Sequence, residues 1–254
     1  MMLTTEQLEQ YKEKGYIRFD NLFTPEEMDR VCTIIDEFDA ESERQLNAKG
    51  AQFNSIPKQI NFTSGLNFMH PDLQRFIADD RFVDITTSIL GPDIRLYWDQ
   101  SVYKRPEADR DFPWHQDNGY VPTEPVHYVT CWLALEDATI ENGCIWIQEG
   151  THHKGFVEHV RTEIGQVCYD GDEEGTPVEL QKGSMVAFHS LLFHRSTPNR
   201  SQKIRKGYVI QFSVEGSVNP TTGALFRNGP IIARDGKPAY TSFQSKDEVK
   251  AEVV

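Results

Sequence analysis

The sequence predicts a mainly β protein with a helical N-terminal flank, its core a barrel or jelly roll. Two observations carry that reading. Beyond residue 93, short β-rich runs at 94–103, 128–135, 144–148, 178–180, 184–188 and 206–214 follow one another, with Asn142-Gly143 and Lys182-Gly183 marking tight turns. Ahead of them the texture is helical, and many short strands behind such a segment favour a closed or double-sheet core. Residues 1–92 are therefore expected to form a mainly helical flank with loop, 93–215 the core and 216–254 a C-terminal segment, all in one domain.

In order along the chain, Thr5 precedes a Leu8/Tyr11 apolar spacing, the first helix. Gly15-Tyr16-Ile17-Arg18-Phe19 reads as a short strand. Thr24-Pro25-Glu26-Glu27 opens a second helix, with a capping hydroxyl, proline at the first position and carboxylates at the positive dipole end. Met28, Val31, Ile34, Ile35 and Phe38 continue its i, i+3, i+4, i+7 face. Residues 39–65 are polar and irregular, and are expected to be a long loop covering a site. Two more helices are expected over 71–76 and 81–90, before Gly91-Pro92. The polar 244–254 tail is expected to fray.

Charge and composition exclude several function classes. Lys plus Arg (26) against Asp plus Glu (39) leaves a net charge of −13, so the chain repels phosphate backbones and nucleic acid is not expected as a partner. Mean hydropathy is −0.54 and the apolar runs are far shorter than the roughly 20 residues of a bilayer span, so no membrane partner is expected either. The opening Met-Met-Leu-Thr-Thr-Glu-Gln has no basic region ahead of an apolar one, which makes cytoplasm the expectation. Cys32, Cys131, Cys144 and Cys168 show no CxxC spacing and read as small hydrophobes. Oligomeric state is not legible.

The chemistry concentrates at His115-Gln116-Asp117. On an extended strand, residues i and i+2 share a face, so His115 and Asp117 can offer a nitrogen and an oxygen to one point. A lone His-x-Asp is weak. It gains weight from His194, followed eleven residues later by Arg205 in a strand-like run. Two imidazoles and a carboxylate on one face of an octahedral ion leave adjacent positions open, as in non-haem Fe(II) oxygenases. An arginine behind that face can grip a co-substrate carboxylate by a bidentate pair.

At these residues the chain resembles the phytanoyl-CoA dioxygenase family of Fe(II)/2-oxoglutarate oxygenases. The likeness runs from Gln7 through Gly15-Tyr16 and Leu22-Phe23-Thr24-Pro25-Glu26-Glu27 to Tyr103-Lys104-Arg105-Pro106 and Trp114-His115-Gln116-Asp117. It continues through Trp132-Leu133-Ala134-Leu135-Glu136-Asp137-Ala138, Glu141-Asn142-Gly143-Cys144 and Gly150-Thr151-His152 to His194-Arg195-Ser196-Thr197-Pro198-Asn199 and Arg205. This order over about 200 residues implies a double-stranded β-helix (cupin-like jelly roll) with His115, Asp117 and His194 as iron ligands. It implies that Arg205 and Ser196 bind the distal carboxylate of 2-oxoglutarate, with Trp132 and Lys104 lining the same pocket. The cofactors are then Fe(II), 2-oxoglutarate and O2, and the reaction is hydroxylation of an unactivated carbon of a small molecule with release of succinate and CO2. Where the family usually has Pro-Gly-Ser-His, this chain has Glu149-Gly150-Thr151-His152, a departure that bears on substrate.

His189, five residues before His194, is the rival third ligand. An odd offset on a strand puts the two on opposite faces, and the spacing to Arg205 with Ser196 at i+2 favours His194. His127, His152, His153 and His159 are expected to be solvated, and Trp98 and Trp146 to be core residues. For the organic substrate, the expected surroundings are the amide-rich segment 52–62, with Phe53 and Gln59, together with Asn118, Tyr120 and Arg227. That composition points to a small polar substrate. A zinc hydrolase on the same His/Asp/His set, a non-catalytic jelly-roll binding module and a halogenase are the alternatives. Asp117 disfavours the last, because chloride would need the carboxylate's position.

Overall fold

The computed structural model describes residues 2–52, 54–106 and 110–251. The chain begins α1 (Thr5–Lys14), β1 (Tyr16–Phe19), α2 (Pro25–Lys49), β2 (Ile60–Ser64), α3 (Pro71–Ile77) and α4 (Asp80–Leu90). The first half of the β region comprises β3 (Ile94–Lys104), β4 (Phe112–His115), β5 (Val129–Ala134), β6 (Ile145–Ile147), β7 (Val160–Thr162) and β8 (Gly165–Val167). It continues with β9 (Thr176–Val178), β10 (Met185–His189), β11 (His194–Ser196), β12 (Arg205–Val214), β13 (Ile231–Arg234) and β14 (Lys237–Pro238), and α5 (Lys246–Ala251) follows. The large sheet runs β1-β10-β5-β12-β3-β13-β14, with β2 also on β3, and the smaller one β4-β11-β6-β9. Together they form the expected mainly β, double-stranded β-helix core. None of the described helices is long and apolar enough to cross a membrane.

The large sheet is covered on both faces, which is why its strands read as continuous apolar runs rather than alternating ones. On β5, Val129, Cys131 and Leu133 join the core under the helices, whereas Trp132 and Ala134 face the interior between the sheets. On β12, Tyr208, Ile210 and Phe212 face the helices and Val209 the interior. The period of two therefore hands Thr130, Trp132, Arg205 and Gln211 to one space, and that space becomes the site.

Both N-terminal helices start with reciprocal capping boxes, Thr4/Gln7 for α1 and Thr24/Glu27 for α2, the first one residue earlier than the apolar spacing suggested. The expected loop over 39–65 shrinks to the stretch between Lys49 and Ile60. Helix α2 continues to Lys49, and Ile60–Ser64 pairs with β3. The cause is a polar helix-to-sheet interface: Asn61 Nδ2 donates to Asp39 Oδ1 (2.8 Å), Arg105 Nη2 to Asp39 Oδ2 (2.6 Å) and Ser42 Oγ to Asn61 Oδ1 (3.2 Å). Apolar periodicity does not register such a face. Residues 244–251 of the tail are docked rather than frayed, since Ser245 and Glu248 cap α5 reciprocally, Val249 is buried, and Gln74 exchanges two hydrogen bonds with Gln244; 252–254 lie outside the described residues.

Candidate active site

Strands β4 and β11 pair with His115 opposite His194. Asp117 is not in the strand, as its i+2 spacing suggested, but opens a short 3-10 turn, Asp117–Gly119. Gln116 between them is extended, so the side chains still converge. Asp117 Oδ1 lies 3.8 Å from His115 Nε2 and 3.5 Å from His194 Nε2. These three are the metal-capable cluster among the described residues, with one donor atom each within 4.8 Å of the others.

Each donor is aimed by the fold. His115 Nδ1 donates to Pro113 O (2.8 Å) and His194 Nδ1 to Leu192 O (3.0 Å), which leaves both Nε2 lone pairs directed at the centre. Asp117 Oδ2 accepts from Thr130 Oγ1 (2.5 Å) and Gln211 Nε2 (3.0 Å), which leaves Oδ1 for a cation. Burial and the adjacent His194 push the His115 imidazole down to about 3, so it stands neutral and ready to ligate. Burial works to raise the Asp117 carboxyl, but His194, His115 and Thr130 outweigh it and hold it below its ordinary value. Behind this turn Gln116 donates to Gly155 O and Leu191 O and accepts from Val157 N.

A cavity of about 60 Å³ extends from these residues to Arg205, lined also by Ser196 and Trp132. Arg205 is 1% exposed, and its Nε and Nη2 have no hydrogen-bond partner among the described residues. Burial lowers its pKa to about 10. Its guanidinium lies 5.2 Å from the Trp132 ring, whose indole fits because position 207 is glycine: a Cβ there would sit 2.5 Å from Trp132 Cζ2. Lys104, the register partner of Arg205, is buried and does not line this cavity. Its Nζ donates to Ser196 Oγ (2.8 Å) and Thr197 O (2.7 Å), so the serine hydroxyl proton is free for a ligand.

A second cavity, about 330 Å³, opens on the other side of His115 and Asp117. Tyr120 lines it, packed edge-on against His115, with its hydroxyl accepting from Gln166 N. The other expected substrate residues distribute differently. Asn118 is fully buried and spends its amide on Val126 O, Ser190 Oγ and Thr123 Oγ1, so it braces the turn. Gln59 lines neighbouring outer hollows rather than this cavity. Arg227 donates to Lys250 O and lines none of these spaces. Phe53 lies outside the described residues.

His189 does face away from His194, as the odd offset required, and stacks on His127 with ring centroids 3.9 Å apart. The expectation of solvated histidines fails for three of four. His127 is in that stack. His152 is buried against α1, donating to Lys12 O where Gly15 leaves room, since a Cβ at that left-handed position (φ 85°) would lie 2.5 Å from His152 Nδ1. His159 Nε2 accepts from Gln116 N, and only His153 is exposed. The Glu149-Gly150-Thr151-His152 segment binds the end of α1 through Gly150 N to Lys14 O (2.9 Å) and lines neither cavity. Trp98 is 38% exposed rather than core. Thr130 and Gln211, which brace Asp117, were not singled out from the sequence. The available signal was a polar residue on the interior face of an otherwise apolar strand.

Two imidazoles, one carboxylate and a waiting buried guanidinium suit a non-haem Fe(II) centre that works with a 2-oxo acid and O2. The fold and site thus define a 2-oxoglutarate-dependent oxygenase. Residues 11–207 match the family model described as Phytanoyl-CoA dioxygenase, and the chain belongs to that family. Curated relatives include phytanoyl-CoA dioxygenase of Arabidopsis thaliana, 24% identical over 81% of this chain and 87% of the relative. Methylphosphonate hydroxylase of Gimesia maris is 23% identical over 93% of this chain and 97% of its own. Among solved structures, EvdO2 from Micromonospora carbonacea complexed with 2-oxoglutarate gives a TM-score of 0.67 at 16% identity, covering 84% of this chain and 91% of that one. The non-haem alpha ketoglutarate dependent carbocyclase SnoK gives 0.68 at 19% identity, covering 95% of both.

Proposed function

We propose that this oxygenase is a hydroxylase of a small organic molecule, acting as one domain, in which His115, Asp117 and His194 hold Fe(II). Iron so bound supplies O2 activation through oxidative decarboxylation of 2-oxoglutarate to succinate and CO2. The observation that carries the co-substrate assignment is Arg205: a fully buried guanidinium with two nitrogens unpartnered among the described residues is costly unless an anion meets it. Arg205 takes the distal carboxylate as a charge-assisted pair, Ser196 Oγ donates beside it, and Trp132 walls the pocket. Lys104 acts one step back, by fixing the serine.

Thr130 and Gln211 occupy Asp117 Oδ2, so the carboxylate holds its metal position and leaves none there for a halide. That supports hydroxylation over halogenation. The outer cavity supports a compact substrate: its size is at the lower end for ligand sites, and among the described residues its lining offers no lysine or arginine for the phosphates of an acyl-CoA. The test is anaerobic addition of Fe(II) and 2-oxoglutarate, which should give a visible metal-to-ligand charge-transfer band. Absence of the band, with no 2-oxoglutarate binding by calorimetry, would favour the zinc hydrolase instead. A chlorinated product formed in the presence of chloride would overturn the hydroxylase reading.

A further inference from the structure

Of the three amides that line the outer cavity, Asn54, Gln100 and Gln211, the last two are fixed in opposite senses by their hydrogen bonds. Gln100 lines both cavities and so stands where they meet at the metal site. Its Oε1 accepts from Trp98 Nε1 (3.2 Å) and Ser64 Oγ (3.2 Å). An indole nitrogen can only donate, so the orientation of this amide is forced, and the Nε2 donors, unpartnered among the described residues, are left for the cavity. Gln211 is held the other way round. Its Nε2 donates to the Asp117 carboxylate, which can only accept, and to Thr130 Oγ1 (3.1 Å). Its Oε1, likewise without a partner among the described residues, is the acceptor that this wall offers.

Apart from Asn54, Ser64 and Val121, the remaining wall beyond His115 and Asp117 is aromatic, with Phe62, Tyr97, Trp98, Phe112, Tyr120 and Tyr128. Among the described residues no lysine, arginine or glutamate lines it, and Asp117, the one carboxylate among them, is committed to the metal-capable cluster. An anionic ligand group here would be desolvated without a counter-charge. A cation would meet aromatic faces but also the outward N–H groups of Gln100.

We propose, resting on the oxygenase reading above, that the Gln100/Gln211 pair selects an uncharged, ring-bearing substrate that presents a hydrogen-bond acceptor to Gln100 and a donor to Gln211. Gln100 is a specificity residue that touches substrate. Gln211 combines that contact with positioning of Asp117.

Benzamide offers a ring, an acceptor and a donor without charge; benzoate and phenyltrimethylammonium are its anionic and cationic counterparts. Saturation-transfer NMR titrations of all three on the anaerobic protein loaded with Fe(II) and 2-oxoglutarate should show benzamide binding at least ~10-fold tighter than either, about 1.4 kcal/mol. Gln100→Leu should weaken benzamide by about 3- to 10-fold, the range of one neutral hydrogen bond. Gln100→Glu, which still accepts from Trp98 and Ser64, should weaken benzamide as much and improve the cation, a reversal that misfolding would not produce. The proposal is overturned if benzoate or the cation binds as tightly as benzamide, if benzamide does not bind, or if Gln100→Leu leaves its affinity unchanged. The charge-transfer band is recorded on the same sample. Its absence with the benzamide preference intact would strike the oxygenase reading and support the cavity's specificity.

Discussion

Two pairs of histidines, one buried and one half-buried, lie in this fold at almost the same spacing, with opposite chemistry. The rings of His115 and His194 are 4.0 Å apart and tilted by 52°, while those of His127 and His189 are 3.9 Å apart and parallel within 2°. In the first pair each Nδ1 is tied to the carbonyl two residues back, and both Nε2 atoms point at Asp117. In the second, His189 Nδ1 accepts from Leu191 N, His127 Nε2 meets Tyr11 Oη (2.9 Å), and no carboxylate joins the described cluster. Proximity of imidazoles therefore does not make a metal site. Lone-pair direction and a third, anionic arm do.

The sharpest way to break the contrast is Asp117→Ala, which turns the first pair into an analogue of the second. Iron stoichiometry by elemental analysis should fall to near zero, whereas His189→Ala should leave it unchanged. Retention of iron by Asp117→Ala would mean that another oxygen completes the set.

Arg205→Ala comes next. Truncating one partner of a desolvated ion pair costs ~2–5 kcal/mol, so the 2-oxoglutarate requirement should rise by at least ~30-fold while iron still binds. Ser196→Ala should act in the same direction and less, because it removes a neutral donor. Equal 2-oxoglutarate affinity in Arg205→Ala would transfer the carboxylate to Lys104.

Thr130→Val tests the aiming of the anionic arm. Loss of such a supporting hydrogen bond typically costs 10–100-fold in metal affinity, and competition with a chromogenic chelator should show a drop of that order. An unchanged affinity would leave Gln211 as the sufficient brace.

The second pair sets a pH dependence of stability. Burial, with His152 nearby, holds His127 down at about 4, and burial with His127 holds His189 at about 2. Tyr11, His152 and His153 are the other titratable groups around the stack. An unfolded histidine takes up its proton near pH 6.5 while these stay neutral, so stability is full above about 6.5 and falls as the pH drops towards the folded values. For His127 alone the loss between pH 6.5 and 5 is roughly 1.5 kcal/mol. Urea midpoints of His127→Gln should be correspondingly flatter over that range than those of the parent chain, and parallel profiles would refute it.

Much of this was legible in the residues, and what was missed has a common cause. The apolar strands were found because a sheet covered on both faces leaves unbroken runs, as at 128–135. Strands β4 and β11 are missing from the apolar runs, because Phe112–His115 and His194–Ser196 are short and carry the site's polar groups instead of an apolar face. The extension of α2 was missed for a related reason: Asp39, Ser42 and Glu43 face β2 and Arg105 through hydrogen bonds and ion pairs, which a search for apolar periodicity reads as loop. The His115, Asp117 and His194 cluster was legible because its spacing is local chemistry plus one long-range motif. Its braces, Thr130 and Gln211, come from different strands, and only the sheet register brings them to Asp117.

The pairing of β1 with β10 sets the order in which the molecule can be made. Tyr16 meets Phe188, and Phe19 meets Met185. A ribosome adding about 5–20 residues per second has therefore released the first strand roughly ten to thirty seconds before its partner exists. During that interval an apolar strand has no ladder to join. Once both are present, β1 shields the flank of β10, whose Met185-Val186-Ala187-Phe188 would otherwise be a bare apolar edge inviting other chains to pair with it. Removing the first twenty residues should leave His115, Asp117 and His194 in place and yield a protein that aggregates.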